Sequence, residues 1–194
     1  MIITIGGEPG AGKSTVSKLL AKKLGYQHYY AGRLYREMAE KEGLTPLAFK
    51  ERVRTDPHID QEIDRRFIDL AEHGTRYIME GWVAFHFIPT SYKVNLVASE
   101  NERARRVFES IRPLEQENTS LEKTKENNAQ RYKNSLENFL KKYKVDISSR
   151  GNYDQTIDTT CITPEEVVEK ILTNKKYLAM KRTQICRSSG HPNV

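Results

Sequence analysis

The chain has 194 residues, 37% of them hydrophobic and 30% charged, the size and balance of one soluble α/β domain with a small mobile insertion. Its formal charge is +6. Five positive charges lie in an acid-free terminal segment (Lys175, Lys176, Lys181, Arg182 and Arg187), leaving +1 on residues 1–174. A near-neutral body gives little ground for nucleic-acid or membrane binding, and nucleic acid is left to the tail alone. Cys161 and Cys186 are too few for a disulfide framework and suit a reducing compartment, with Cys161 expected as a small buried residue. Met1 to Gly6 reads as a short β run and not as a signal peptide. No apolar stretch reaches membrane-spanning length. The expected location is the cytoplasm.

In chain order, Ile2 to Ile5 is a β-branched strand running into Gly6-Gly7. Lys13 to Leu24 has helical spacing, with Val16, Leu19, Leu20 and Leu24 on one face and Gly25 as its stop. Gln27 to Tyr30 is a second strand, and Gly32 to Lys41 a helix. Thr45-Pro46 and Asp56-Pro57 each pair an N-cap with proline at the first helical position, and the second helix runs to Glu72. Tyr77 to Met79 and Val94 to Val97 are strands. Glu100 to Ile111 is a helix. A polar break covers Pro113 to Thr119, and Leu121 to Lys144 is a long charged helix. Gln155 to Asp158 is a fifth strand. Thr163 caps a helix ending near Leu172. The segment after Asn174 shows no clear period and is expected to be a basic, disordered tail. Alternating strands and helices predict a five-stranded, mainly parallel sheet with helices on both faces.

Gly7-Glu8-Pro9-Gly10-Ala11-Gly12-Lys13-Ser14 fits G-x-x-x-x-G-K-[ST] between a strand and a helix. Glycines let the backbone wrap a phosphate, and successive N–H groups at the helix start present positive charge to it. Lys13 is placed to reach β- and γ-phosphates and Ser14 to hold Mg²⁺, with Thr15 completing the loop. The motif implies a nucleoside triphosphate and leaves the reaction open. Glu80, closing the third strand before Gly81, is the candidate carboxylate for the metal site.

Phosphoryl transfer needs concentrated positive charge and little covalent chemistry. Two arginine groups supply it: Arg33, Arg36, Arg65 and Arg66, then Arg103, Arg105, Arg106, Arg112 and Arg131 around the polar break. Arginine's planar fork binds two phosphate oxygens at once. Asp60–Asp64 and Glu62–Arg66 are i,i+4 pairs of like and opposite charge. His28, His58, His73, His86 and His191 show no metal-ligand spacing and are read as structural or surface residues.

Several segments carry a resemblance to the archaeal-type cytidylate kinases, within the nucleoside monophosphate kinase group. They are the opening strand and phosphate loop; Tyr30-Ala31-Gly32-Arg33-Leu34-Tyr35-Arg36; Asp56-Pro57-His58-Ile59-Asp60-Gln61-Glu62-Ile63-Asp64-Arg65-Arg66; and Tyr143 to Val168 in part. The resemblance spans Met1 to about Leu172. It implies a P-loop kinase three-layer sandwich over residues 1–174, with a helical acceptor-binding segment at about 31–74 and a lid at about 103–131. It implies ATP, Mg²⁺ and CMP or dCMP as reactants. Lys13, Arg103, Arg106 and Arg131 map to the catalytic positions. Arg33, Arg36, Asp60, Asp64, Arg65, Gly81 and Trp82 map to the acceptor site, and Ser14 and Glu80 to the metal.

The chain departs from the family pattern in three places. Arg33 stands where the family has Asp, Trp82 where it has Arg, and Asn138 at a second lid-arginine position. A lost charge-assisted contact to phosphate costs about 1.5–3 kcal/mol. Trp82 reads as a packing residue, since Val83, Phe85, Phe87 and Ile88 follow it, with stacking on a base as the alternative. The leading expectation is a monomeric kinase of CMP or dCMP. The alternatives are a P-loop kinase for another nucleotide or a non-nucleotide acceptor, and a degenerate ATP-binding regulatory protein.

Overall fold

A computed structural model describes residues 1–30, 37–44, 49, 52, 56–74, 76–110 and 118–188. Its strands are β1 (Ile3–Gly7), β2 (Gln27–Tyr30), β3 (Tyr77–Glu80), β4 (Tyr92–Val97) and β5 (Gln155–Asp158). Its helices are α1 (Lys13–Leu24), α2 (Pro57–His73), α3 (Ala84–Phe87), α4 (Glu100–Glu109), α5 (Leu121–Tyr143), α6 (Pro164–Leu172) and α7 (Lys175–Ser188). The strand order is β2-β3-β1-β4-β5, and every pairing is parallel.

That order puts β1 in the centre. The chain leaves β1 toward β2 and β3 on one side, then crosses to β4 and β5 on the other. The carboxyl end of β1 is therefore the topological switch point, where a parallel sheet opens a crevice. The strand core divides by the two-residue period of side-chain direction. Ile3 and Ile5 of β1, Ile78 of β3, and Val94 and Leu96 of β4 pack with Val16 and Leu20 of α1 and Val167, Val168 and Ile171 of α6. Ile2 and Met79 join a second cluster with Ile59 and Phe67 of α2 and Ala84 and Ile88 around α3.

Local signals set the helix ends. Gly25 ends α1 with φ 64°, a conformation glycine enters without a Cβ clash. The Asp56 carboxylate accepts from His58 N at 3.0 Å and opens α2. Thr163 and Glu166 form a reciprocal capping box at α6, as the Thr-Pro-Glu-Glu pattern predicts. Strands β1, β3 and β4 each extend past their predicted bounds, and α4 ends at Glu109 rather than Ile111.

Two expectations are corrected. Within the segment after Asn174, residues 175–188 form helix α7. Tyr177 anchors it, being 1% exposed, with its ring 5.5 Å from that of Tyr92 in β4. Five basic residues are spread along the helix, and one buried ring with Met180 partly buried beside it gives no clear period. Cys161 is exposed, because it lies in the turn between β5 and α6 rather than on a core-facing strand. The predicted N-cap at Thr45-Pro46, the start of the helix from Gly32, and Arg33, Arg36 and Arg112 lie outside the described residues.

Candidate active site at the carboxyl end of the central strand

The phosphate loop turns sharply off β1 because two glycines allow it. Gly7 has φ 135°, and a Cβ there would meet the Leu96 carbonyl oxygen at 2.2 Å. Gly10 has φ 80°, and its Cβ would meet the Arg103 carbonyl oxygen at 2.4 Å. The loop is thus pressed between β4 and α4, with no room for side chains on that face. Gly12 precedes α1 and offers no side-chain cap. The start of a 12-residue helix without a side-chain cap is the arrangement that binds phosphate.

Lys13 Nζ donates to the Glu8 carbonyl at 2.9 Å, inside the same loop. Ser14 Oγ donates to Glu80 Oε1 at 2.7 Å, joining the helix start to the end of β3. The other carboxylate oxygen, Oε2, lies 3.1 Å from His28 Nε2. Burial pushes the Glu80 carboxyl up, but the bonds from His28 and Ser14 and the charge of Lys13 outweigh it and hold the group below its ordinary value. An ionised carboxylate only accepts, so His28 Nε2 carries the proton and donates. A hydroxyl and a carboxylate are hard oxygen ligands of the kind Mg²⁺ takes. Among the described residues no group of three or more His, Cys, Asp or Glu could hold a metal. A divalent ion here therefore fits only with oxygens from phosphate and water completing its shell.

The predicted arginines reach the loop from α4 and α5. Arg103 Nη1 meets Glu8 Oε2 at 2.7 Å, and its Nε donates to the Ala98 carbonyl at 3.0 Å. Arg106 donates to the hydroxyl of Thr159 at 3.0 Å and to its carbonyl at 2.6 Å, and Glu102 holds its Nε at 2.8 Å. Trp82 gathers two cations. Lys13 Nζ and Arg131 Cζ each lie 5.9 Å from its ring centroid, within cation–π range. Tyr132 and Phe139 of α5 meet the same indole edge-on at 6.2 and 6.0 Å. Trp82 does pack, as the sequence suggests, and it packs at the phosphate loop.

A cavity of about 270 Å³ opens beside Gly7 and Glu8, with Trp82, Asn95, Tyr132 and Tyr153 in its wall. Burial raises the Tyr132 hydroxyl above its ordinary value and the Tyr153 hydroxyl well above it, so both stay protonated and able to donate.

Lys13, Ser14, Glu80, Trp82, Arg103, Arg106 and Arg131 are thus brought around one loop. Gly81 continues from Glu80 and donates its N–H to the Ile5 carbonyl of β1 at 3.1 Å. Asp64 is engaged elsewhere: the Tyr143 hydroxyl donates to it, and Lys142 Nζ lies 3.3 Å away. Arg65 is exposed on α2, and the opposite-charge pair Glu62–Arg66 forms at 2.8 Å. Asp60 stands in the first turn of α2. The sequence reading missed His28, Asn95, Tyr132 and Tyr153. Parallel register offers one signal for His28: Tyr30 pairs with Glu80, so His28, two residues earlier, shares the face on which Glu80 lies.

A glycine loop pressed onto a central parallel strand, its lysine and serine converging with a strand-end carboxylate and flanking arginines, defines a P-loop kinase. Solved structures share the fold. A shikimate kinase from Aquifex aeolicus superposes with a TM-score of 0.58 at 22% identity, over 92% of this chain and 98% of that one. An uncharacterized protein from Eubacterium ventriosum gives 0.69 at 17%, over 92% and 98%. Residues 3–134 match the family described as AAA domain. A protein named cytidylate kinase from Methanobrevibacter smithii is 34% identical over 178 residues, which is 92% of this chain and 100% of the relative. One of the same name from Ignicoccus hospitalis is 35% identical over 173 residues, covering 88% and 96%. The chain belongs to the cytidylate kinase family. Among the described residues no helix is long and apolar enough to cross a membrane.

Proposed function

We propose that the chain transfers the γ-phosphoryl group of ATP to CMP or dCMP, giving the diphosphate and ADP. One observation carries the reading: the likeness to proteins named cytidylate kinase runs the whole length of one such relative. The contact of Ser14 with Glu80 beside Lys13 supports the chemistry. Backbone N–H groups of Gly7 to Thr15 bind the phosphates, and Lys13 neutralises charge on the transferred group. Ser14 and Glu80 hold Mg²⁺, which when bound shields the phosphate oxygens and orients them. Arg103, Arg106 and Arg131, within a lid at about 103–131, stabilise the transferring phosphoryl. Arg33, Arg36, Asp60, Asp64 and Arg65, in a segment at about 31–74, form the acceptor side together with Gly81 and Trp82. No covalent enzyme intermediate is needed, because the site supplies positioning and charge. The reading places the chain in the cytoplasm as a monomer, and a reducing medium there keeps the exposed thiol of Cys161 free.

A second reading, transfer to a different acceptor, is favoured by Arg33 and Trp82, which stand where the family pattern has an aspartate and an arginine. One assay separates the two. ADP release is measured with ATP and Mg²⁺ against CMP, dCMP, UMP, AMP and GMP, with Lys13→Ala as blank. Turnover on CMP or dCMP that vanishes in the blank is expected. Turnover on another nucleotide alone moves the difference to the acceptor pocket. No turnover on any, with ATP still bound, overturns the reading.

A further inference from the structure

The Glu80 carboxylate is tied at both ends. Ser14 holds one oxygen at 2.7 Å and His28 holds the other at 3.1 Å. The side chains of His28 and Glu80 are 12% and 10% exposed, so water competes little for either bond. The imidazole is itself fixed, stacked on Tyr30 with centroids 5.3 Å apart and planes 19° apart. Three elements meet in one hydrogen-bonded line: β2 through His28, β3 through Glu80, and α1 through Ser14. Without His28 a glutamate at a strand end has several staggered rotamers open to it. With it, one oxygen is pinned away from the loop and the other faces it.

We propose that His28 is a positioning residue for Glu80, holding Oε2 so that Oε1 stays aimed at Ser14 and the cation at the phosphate loop. This rests on the reading that Ser14 and Glu80 take the metal. Such outer partners of metal-binding carboxylates set ligand orientation and matter nearly as much as the ligands do. The sequence gives no motif for the role, because the histidine lies 52 residues from its partner and meets it only through the β2–β3 register.

The test compares ATP binding with and without Mg²⁺, with EDTA in the second case and no acceptor in either. Trp82, the single tryptophan of the chain, reports binding because its ring lies 5.9 Å from Lys13 Nζ. In the wild type Mg²⁺ should tighten ATP binding. His28→Phe, which keeps a ring against Tyr30 and removes the donor, is expected to lose about tenfold or more of that tightening. Its metal-free affinity should stay at the wild-type value, which also shows that the variant is folded. His28→Gln, which restores an N–H donor, should recover most of the preference. A His28→Phe variant that keeps the full Mg²⁺ preference, or that loses both affinities equally, overturns the proposal and makes His28 a packing residue. A wild type with no Mg²⁺ preference removes the metal assignment of Ser14 and Glu80 and the proposal with it.

Discussion

The guanidinium of Arg103 and the carboxylate of Glu8 meet at 2.7 Å, with side chains 11% and 25% exposed. Glu8 lies inside the phosphate loop, so the pair places one negative charge where an anion is to bind. Arg103 is engaged by that carboxylate and would serve a phosphate better without it. Glu8→Gln keeps the shape and removes the charge. It should tighten ATP binding about tenfold at low ionic strength, equivalent to ~1.4 kcal/mol, with the gain shrinking as salt rises. Arg103→Ala should weaken ATP binding instead. A salt series of ATP affinities for both variants checks this, and a Glu8→Gln variant that binds ATP more weakly contradicts it.

Glu102 governs the neighbouring arginine. Its carboxyl is held at about 2 by the Arg105 guanidinium above all, which with the bond from Arg106 outweighs the opposing effect of burial. The depressed value fixes the sign: the stabilisation is complete above the ordinary value of 4.5 and is lost as pH falls through the folded value. The side chain is 19% exposed and Arg105 is 51% exposed, so screening keeps the contribution to about 1 kcal/mol. The gap in urea midpoint between wild type and Glu102→Gln should be full at neutral pH and close as pH falls from 4.5 toward about 2. A gap that widens on acidification would sink the assignment.

The end of the chain makes a third prediction. Tyr177 is almost wholly buried, and its hydroxyl has no hydrogen-bond partner. Tyr177→Ala should cost about 3–5 kcal/mol, as for other large core aromatics. Tyr177→Phe should be neutral or stabilise by up to about 1 kcal/mol, since it removes a buried hydroxyl that nothing satisfies. Denaturant midpoints for the two variants settle the order. Removal of residues 175–194 should destabilise the domain as Tyr177→Ala does, so such a truncation does not isolate the basic charges.

What was legible in the sequence follows the range of each interaction. Lys13 and Ser14 are set by eight consecutive residues and were plain. Glu80 was found because a carboxylate closing a buried strand faces the crevice. His28 was not, because its partner is chosen by strand pairing, and a lone histidine carries no spacing. The Glu8 carboxylate occupies a position where the motif admits any residue, so nothing local announced its bond to Arg103. Tyr177 was hidden by five basic neighbours, since one buried ring per helix gives no period. Asp64 is placed on the acceptor side by resemblance, and nothing in its own helix announces its bonds to Lys142 and Tyr143 at the end of α5.

Trp82 is where chain and family part, and the geometry says what the change does. An arginine there would stand beside Lys13 and Arg131 and add a third like charge. The indole instead presents its ring to both cations at 5.9 Å and stands nearly at right angles to Tyr132 and Phe139. It therefore draws α5 to the phosphate loop where an arginine would repel it. Each cation–π contact is worth about 0.5–2 kcal/mol according to its exposure. Trp82→Ala should lower kcat roughly tenfold, the rate equivalent of ~1.4 kcal/mol, with KM for the acceptor little changed. Trp82→Phe should retain most activity, because a smaller π-face remains. Trp82→Arg should not rescue the alanine variant. Kinetics with the best acceptor decide the matter. A rise in acceptor KM with kcat intact would mean that the ring stacks on the acceptor base. A gain in turnover for Trp82→Arg would mean that the ring fills the place of a lost phosphate ligand without replacing its work.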